Sequence, residues 1–85
     1  MMHYIYILFS KSKNKYYIGY SSDIKNRVEK HNLGSTTSTR PGRPWVLVYS
    51  ENFETKTEAL KREKYIKRMK SRAYIEKLIK GSSAG

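Results

Sequence analysis

The 85-residue sequence has no cysteine and no long apolar run. Without cysteine the chain can form neither a disulfide bond nor a thiolate metal site. Its longest apolar stretch, YIYILF at residues 4–9, is far shorter than the roughly 20 residues that a membrane-spanning helix needs. No basic segment followed by a long apolar segment opens the chain, so we expect no signal peptide and a cytoplasmic protein.

Acidic residues are scarce as well. Only 7 Asp and Glu stand against 18 Lys and Arg, which gives a formal net charge of +11. Such an excess favours an anionic partner, with nucleic acid first and an anionic membrane surface second. The length allows one small domain, which we place at residues 1–80, followed by a flexible tail at residues 81–85.

Three segments rich in β-branched and aromatic residues predict strands, at residues 3–9, 15–21 and 45–50. A short polar turn joins the first two, so we expect them to pair as an antiparallel hairpin. The third, WVLVYS, has the continuous apolar character of a buried strand. A loop at residues 34–44 precedes it and holds both prolines of the chain.

Three helices are predicted from their capping residues and apolar periodicity. The first follows Ser22 and Asp23 and ends at Gly34. The second is capped by Thr55 or Thr57, and the last begins after Ser71. The elements therefore follow the order β-β-α-β-α-α.

The hairpin register decides which tyrosines face the core. If Phe9 lies opposite Tyr16, then Tyr6 lies opposite Gly19, and the isoleucines of both strands share one face. Glycine would then leave open space beside Tyr6. The core face of this register carries Ile5, Ile7, Phe9, Tyr16, Ile18 and Tyr20. The opposite face carries Tyr4, Tyr6, Leu8, Tyr17 and Gly19.

Tyr6 and Tyr17 are diagonal neighbours on that second face. Tyrosine is a good strand residue, so the two rings can simply pack against each other. Their hydroxyl groups can also serve proton transfer. The hairpin alone leaves both interpretations open.

The first predicted helix turns two polar residues toward the sheet. Ile24, Val28 and His31 share one narrow stripe, and Arg27 flanks it one turn before His31. A single histidine on an apolar face is more often structural than functional. The arginine at i, i+4 on the same side improves the odds of a function.

Glu63 is the third unusual position. It projects between Ala59, Leu60 and Ile66, which define the apolar stripe of the second helix. A carboxylate on such a face is costly unless it is paired with a cation or binds a metal. An ion pair with one of the many lysines and a metal site both satisfy this condition.

Together these residues have the chemistry of a phosphodiester site. A metal ion held by the carboxylate neutralises the scissile phosphate, and an arginine stabilises the added charge of the transition state. A tyrosine or histidine moves the proton. With one carboxylate, we expect one metal ion. The five candidates are Tyr6, Tyr17, Arg27, His31 and Glu63.

The ordered set of motifs resembles the GIY-YIG nuclease family. YIY at residues 4–6 stands at the family's first tripeptide, and YIG at residues 17–19 matches the second. DIKNRVEKHN resembles the first-helix segment, and EALKREKYIK resembles the later helix that supplies the metal-binding glutamate. RPGRPWVLVYSENF resembles the central strand region of the short bacterial members, the UPF0213-like group. The likeness runs from Tyr4 to about Ile79.

The resemblance implies an α+β fold, with a three-stranded antiparallel sheet flanked by helices, and hydrolysis of DNA. It also implies one divalent ion, Mg²⁺ or Mn²⁺, held by Glu63. Residues matching Tyr6, Tyr17 and Arg27 are catalytic in the family, and the one matching His31 assists in some members. The chain departs from the family pattern in two ways: Tyr4 replaces the first glycine, and no asparagine follows Asn52.

Larger members of the family carry a separate DNA-targeting domain, which we do not find in this sequence. Binding to DNA would then depend on phosphate contacts, or on a targeting protein partner. The basic candidates for these contacts are Lys25, Lys30, Arg40, Arg43, Lys61, Arg62, Lys64, Lys67 and Arg68. The alternative function is a nucleic-acid-binding module on the same fold without catalysis. A membrane-surface protein is a poorly supported third option, because the apolar residues of the last helix are needed for the core.

Overall fold

The computed structural model of the protein describes residues 2–34 and 39–83, without the side chains of residues 82 and 83. The fold is α+β, as the resemblance implies, with the predicted order of strands and helices. A short 3₁₀ turn precedes the third strand. The elements are β1 (His3–Ser10), β2 (Lys15–Ser21), α1 (Ile24–Asn32), the turn Arg40–Gly42, β3 (Trp45–Phe53), α2 (Lys56–Met69) and α3 (Arg72–Ser83).

The three strands form one antiparallel sheet in the order β2-β1-β3. Phe9 lies opposite Tyr16 and Tyr6 lies opposite Gly19, so the predicted hairpin register is confirmed. A register shift between Ile7 and Leu8 interrupts the β1–β3 pairing. The central strand β1 is therefore covered on both edges, and four consecutive residues of it are buried.

Both faces of the sheet are packed. Ile5 of β1 joins Ala59 and Ile66 of α2 in one cluster, against which Ile18 and Tyr20 also pack. The second cluster, under α1, consists of buried residues and partly buried neighbours, namely Tyr6, Leu8, Trp45, Tyr17, Ile24 and Val28. The predicted alternation of faces is thus confirmed for the isoleucines.

Tyr16 is an exception to the predicted core face. Its ring packs against Phe9 with centroids 5.0 Å apart, and its hydroxyl donates to Glu76 at 3.3 Å. Arg72 lies over the same ring, 5.0 Å from its centroid. The prediction that Tyr16 packs in the core is wrong, because Tyr16 lies at the turn end of the hairpin, where α3 supplies polar neighbours.

The prediction that the third strand is buried is also wrong. β3 is an edge strand, and it continues three residues further, to Phe53. Val46 is 58% exposed and Leu47 is 41% exposed. An apolar run does not distinguish a central strand from an edge strand, because strand order depends on long-range pairing.

The helices begin at the predicted caps. The Asp23 side chain accepts from the backbone N–H of Asn26, and Thr55 accepts from that of Glu58. Ser71 accepts likewise from Tyr74 at 3.1 Å. α3 continues through residues 81–83, which the sequence assigned to a tail, because the helical backbone runs past Gly81. Residues 84 and 85 of that predicted tail lie outside the described residues.

Among the described residues, no helix is both long and apolar enough to cross a membrane.

Candidate active site

Tyr6 lies in the middle of β1, on the face covered by α1. Its side chain is 2% exposed, and its hydroxyl lies 3.0 Å from Nε2 of His31. Burial raises the pKa of Tyr6, and the neighbouring Tyr17 and Glu63 raise it further, while Arg27 acts in the opposite direction. Tyr6 is therefore protonated at neutral pH and acts as a hydrogen-bond donor.

Gly19 makes room for this tyrosine. A Cβ at residue 19 would lie 2.5 Å from Cζ of Tyr6 and closer still to its hydroxyl. The space that the sequence predicted beside Tyr6 is thus filled by the end of the Tyr6 ring itself. The glycine of the second tripeptide is required by close packing rather than by an unusual backbone conformation.

His31 is the buried residue of α1, with 1% of its surface exposed. Both ring nitrogens have partners: Nε2 faces Tyr6, and Nδ1 lies 2.7 Å from Oγ1 of Thr39. Burial lowers the pKa of His31, and the charge of Arg27 lowers it further. A neutral imidazole in this position is fully hydrogen-bonded and is also able to accept a proton.

Tyr17 borders the same pair from β2. Its ring centroid is 5.0 Å from that of His31, in an edge contact, and 6.5 Å from that of Tyr6. On its other side it meets Trp45 at 6.2 Å. Tyr17 is half-buried, so it is more open to a ligand than Tyr6.

Arg27 is exposed on α1, and its charge acts on both Tyr6 and His31. Within residues 2–34 and 39–83 it forms no ion pair or hydrogen bond through its side chain. Arginine donors suit phosphate oxygens because the guanidinium group presents a planar fork. Arg27 is thus available to bind an anion close enough to affect Tyr6 and His31.

Glu63 comes from α2, in the other helical layer. Its charge acts on the Tyr6 hydroxyl, and its side chain is 18% exposed. Lys67 lies 3.6 Å away, so the ion pair that the sequence left open is present. Leu60 is 37% exposed and does not belong to the buried stripe, which consists of Ala59 and Ile66.

The donor set around Glu63 fits a magnesium-type ion. No group of three or more His, Cys, Asp or Glu residues that would enclose a metal occurs in the described part of the chain. Mg²⁺ keeps several waters and is commonly bound by one or two carboxylates together with substrate phosphates. Glu63 is one half-buried carboxylate of this kind, with Lys67 beside it.

The basic candidates for DNA contact have different surroundings. Arg62 is the least available of them for DNA, because it donates two hydrogen bonds to Glu51, at 3.0 and 3.1 Å. Arg40 donates to the Gly34 carbonyl oxygen and Arg43 to the Arg40 carbonyl oxygen, so both side chains brace their loop. Those that are exposed are Lys25, Lys30, Arg40, Arg43, Lys61, Lys64, Lys67 and Arg68.

A groove of about 450 Å³ adjoins Tyr17 between β2 and the end of α2. Lys15, Lys67 and Lys70 line it and give it a positive potential. The sequence did not single out Lys15 or Lys70, since nothing in the chain order shows that the two lie together. Their common signal is spatial, because the antiparallel pairing and the end of α2 bring them to the same groove.

Thr39 is a second residue near the candidate site that the sequence did not single out. Its side chain is fully buried, and its backbone carbonyl oxygen accepts from the Trp45 indole at 2.5 Å. It occupies the loop at residues 34–44, which carries no apolar periodicity to mark a buried position. Only the folded chain brings this hydroxyl to His31.

A model of the GIY-YIG catalytic domain matches residues 2–78, which makes this a nuclease-type domain at the level of the family. A UPF0213 protein of Staphylococcus saprophyticus is 52% identical over 66 residues, covering 76% of this chain and 79% of that protein. A UPF0213 protein of Staphylococcus aureus is 50% identical over the same length and shares of the two chains. The solution NMR structure of a Bacillus halodurans UPF0213 protein matches with a TM-score of 0.60 and 37% identity, covering 94% of this chain and 84% of that one.

The chain belongs to the GIY-YIG family, within its short UPF0213 group. At the level of the family this makes it a nuclease-type hydrolase domain with DNA as the expected substrate. Nucleases of the family generally use a divalent metal ion.

Proposed function

We propose that the protein is a divalent-metal-dependent DNA endonuclease with little sequence specificity, working in the cytoplasm in DNA repair or processing. One observation carries the proposal: the buried Tyr6 hydroxyl is hydrogen-bonded to a neutral His31 beside an arginine without a partner among the described residues. A tyrosine that only packs needs an acceptor for its buried hydroxyl, but it needs no arginine without a partner next to that acceptor. The combination supplies a proton path and an anion site in one place.

The proton path runs from water through Tyr6 to His31. The oxygen of the attacking water forms the new bond to phosphorus, and one of its protons passes to the Tyr6 oxygen. Tyr6 gives its own proton to Nε2 of His31, 3.0 Å away. The bond from phosphorus to the leaving ester oxygen breaks, and that oxygen takes a proton from solvent. This relay suits a tyrosine that stays protonated, because its net charge never changes.

Arg27 and Tyr17 face the phosphate in this proposal. Arg27 stabilises the negative charge that develops on the phosphate oxygens, and the half-buried Tyr17 orients the phosphate or the water. Glu63 holds Mg²⁺ or Mn²⁺, which supplies Lewis-acid stabilisation of the phosphate when bound. Lys67, 3.6 Å from Glu63, exchanges that contact for the substrate phosphate.

DNA affinity comes from exposed cations rather than from base contacts. The groove beside Tyr17 would hold the strand on one side of the scissile phosphate, through Lys15 and Lys70. Contacts of this kind are blind to sequence and sensitive to salt. Specificity then depends on DNA structure, such as ends, flaps or nicks, or on a protein partner that targets the domain. The contacting cations proposed are Lys25, Lys30, Arg40, Arg43, Lys61 and Lys67.

A non-catalytic nucleic-acid-binding module is the second candidate. It is favoured by the Lys67–Glu63 ion pair, which occupies the single carboxylate, and by the missing asparagine after Asn52. In such a module the same cations would bind DNA while Glu63 served only to stabilise α2.

Cleavage of end-labelled single-stranded, duplex, nicked and flap DNA separates the two functions. We expect cleavage with Mg²⁺ or Mn²⁺, none with EDTA, and none by Glu63→Gln, while DNA binding remains. Glu54→Gln is the matched control, because Glu54 is exposed and forms no ion pair within the described chain. Binding without cleavage by the unmodified protein would establish the binding module. Cleavage that survives in Glu63→Gln would remove Glu63 from the site.

A further inference from the structure

His31 has two hydrogen-bond partners but, as a neutral ring, only one proton to give. Nε2 lies 3.0 Å from the Tyr6 hydroxyl, and Nδ1 lies 2.7 Å from Oγ1 of Thr39. One tautomer donates from Nδ1 to Thr39 and accepts from Tyr6. The other donates from Nε2 to Tyr6 and accepts from Thr39. Both distances are compatible with either tautomer, so the hydrogen-bonding needs of Tyr6 and Thr39 determine which tautomer forms.

The buried hydroxyl of Tyr6 disfavours the second tautomer. Among the described residues, Nε2 of His31 is the only hydrogen-bond partner of the Tyr6 hydroxyl. If Nε2 carried the proton, the buried Tyr6 hydroxyl would have no acceptor for its own hydrogen. A buried donor without an acceptor is costly, whereas a threonine hydroxyl can accept as readily as it donates.

Thr39 is held in place independently of the histidine. Its carbonyl oxygen accepts from the Trp45 indole at 2.5 Å and from the Gly42 backbone N–H at 3.2 Å. Trp45 is itself tied to α1, because its backbone N–H donates to Oδ1 of Asn32 at 2.6 Å. The loop before β3 thus presents a fixed acceptor to the far side of the imidazole.

We propose that Thr39 is a positioning residue: its buried hydroxyl accepts the Nδ1–H of His31 and keeps Nε2 unprotonated and directed at the Tyr6 hydroxyl. In this role Thr39 acts through His31, as the orienting group acts on the histidine of a catalytic triad. Its catalytic consequence rests on the proposed nuclease function, but the state of the ring does not.

Nitrogen-15 NMR of the histidine ring in the full-length, metal-free protein tests this directly. We expect a protonated Nδ1 and an unprotonated Nε2 for His31, with the His3→Gln variant used to assign the two rings. In Thr39→Val, which keeps the shape but removes the hydroxyl, the Nδ1-protonated form should lose population. Thr39→Ser, which restores a hydroxyl, should keep it. Protonation at Nε2 in the unmodified protein would overturn the proposal, whether or not the valine variant folds.

Cleavage assays on the same proteins give the second measurement. Thr39→Val should lower kcat about 10–100-fold, by analogy with the range for groups that orient a metal-bound histidine, with KM for DNA unchanged. Thr39→Ser should recover most of the rate. An unchanged ring state and an unchanged rate in Thr39→Val would contradict the role of Thr39. If the ring changes as expected but no protein cleaves DNA, the nuclease function fails while the assignment of Thr39 stands.

Discussion

Gly19 and Tyr6 lie opposite each other on neighbouring strands, and the Tyr6 ring covers the glycine. The end of the ring occupies the volume that a Cβ on residue 19 would need. This contact places the Tyr6 hydroxyl within reach of Nε2 of His31. The glycine of the second tripeptide therefore determines where Tyr6, the last residue of the first tripeptide, can lie.

Gly19→Ala should displace the Tyr6 ring and separate its hydroxyl from His31. Forcing an extra methyl group into a packed interior costs about 1–3 kcal/mol, so we expect a loss of that size in the free energy of unfolding. Any nuclease activity should fall with it. Urea unfolding measures the first effect and DNA cleavage the second.

Gly81→Ala is the matched control for this substitution. A Cβ at Gly81 meets nothing within 4 Å, and the residue lies in the last turns of α3. The free energy of unfolding of this variant should be equal to that of the unmodified protein or higher by up to about 1 kcal/mol. Equal effects of the two substitutions would show that crowding at Tyr6 is not responsible.

Local sequence signals were sufficient for most of the fold. The alternation of faces fixed the register of the hairpin, because a shift by one residue would scatter the isoleucines. Capping residues placed the starts of all three helices. The position of β3 at the edge was missed, since Val46 and Leu47 are apolar but lie where no further strand covers them. Strand order is a long-range property that a continuous apolar run does not encode.

Candidate site residues could be proposed from the sequence where a polar residue interrupts an apolar pattern. His31 and Glu63 were proposed in this way, and in the structure the charge of Glu63 raises the pKa of Tyr6. Thr39 could not be found, because a buried hydroxyl in a loop has no pattern to interrupt. Arg62 was assigned to DNA by its charge alone, whereas its partner Glu51 is 11 residues away on another element.

Arg62→Met should destabilise the fold rather than weaken DNA binding. Arg62 forms two hydrogen bonds to Glu51, with side chains 27% and 21% exposed, and Tyr49 donates to the same carboxylate. Loss of hydrogen bonds to a charged group costs about 1.5–3 kcal/mol. Arg68→Met, at an exposed position of the same helix, should change stability far less. Thermal unfolding and a DNA-binding titration on both variants check the two halves of this prediction.

The salt dependence of DNA binding should identify which lysines contact phosphate. On duplex DNA the logarithm of the binding constant falls with that of salt concentration, with a slope of about −0.9 per phosphate neutralised. Lys61→Met, beside Glu63 in one groove, should reduce the slope by about that amount. Lys77→Met, in a separate groove with Tyr49 and Leu78, should leave it unchanged. A slope insensitive to both substitutions would exclude Lys61 from the contact surface.

The stability of the protein should fall below pH 6.5 because of His31. Burial and Arg27 lower its pKa in the folded protein from the ordinary 6.5, and the other polar groups that face the ring are Tyr6, Tyr17 and Thr39. The unfolded chain then binds a proton that the folded protein resists. The stabilisation is complete above pH 6.5 and is lost as the pH falls, at up to about 1.4 kcal/mol per pH unit. Urea unfolding between pH 7.5 and 5 (about one unit above and one and a half units below the ordinary histidine value) should show this slope in the unmodified protein and in His3→Gln. His31→Gln should remove it, and an undiminished slope in that variant would locate the titrating group elsewhere.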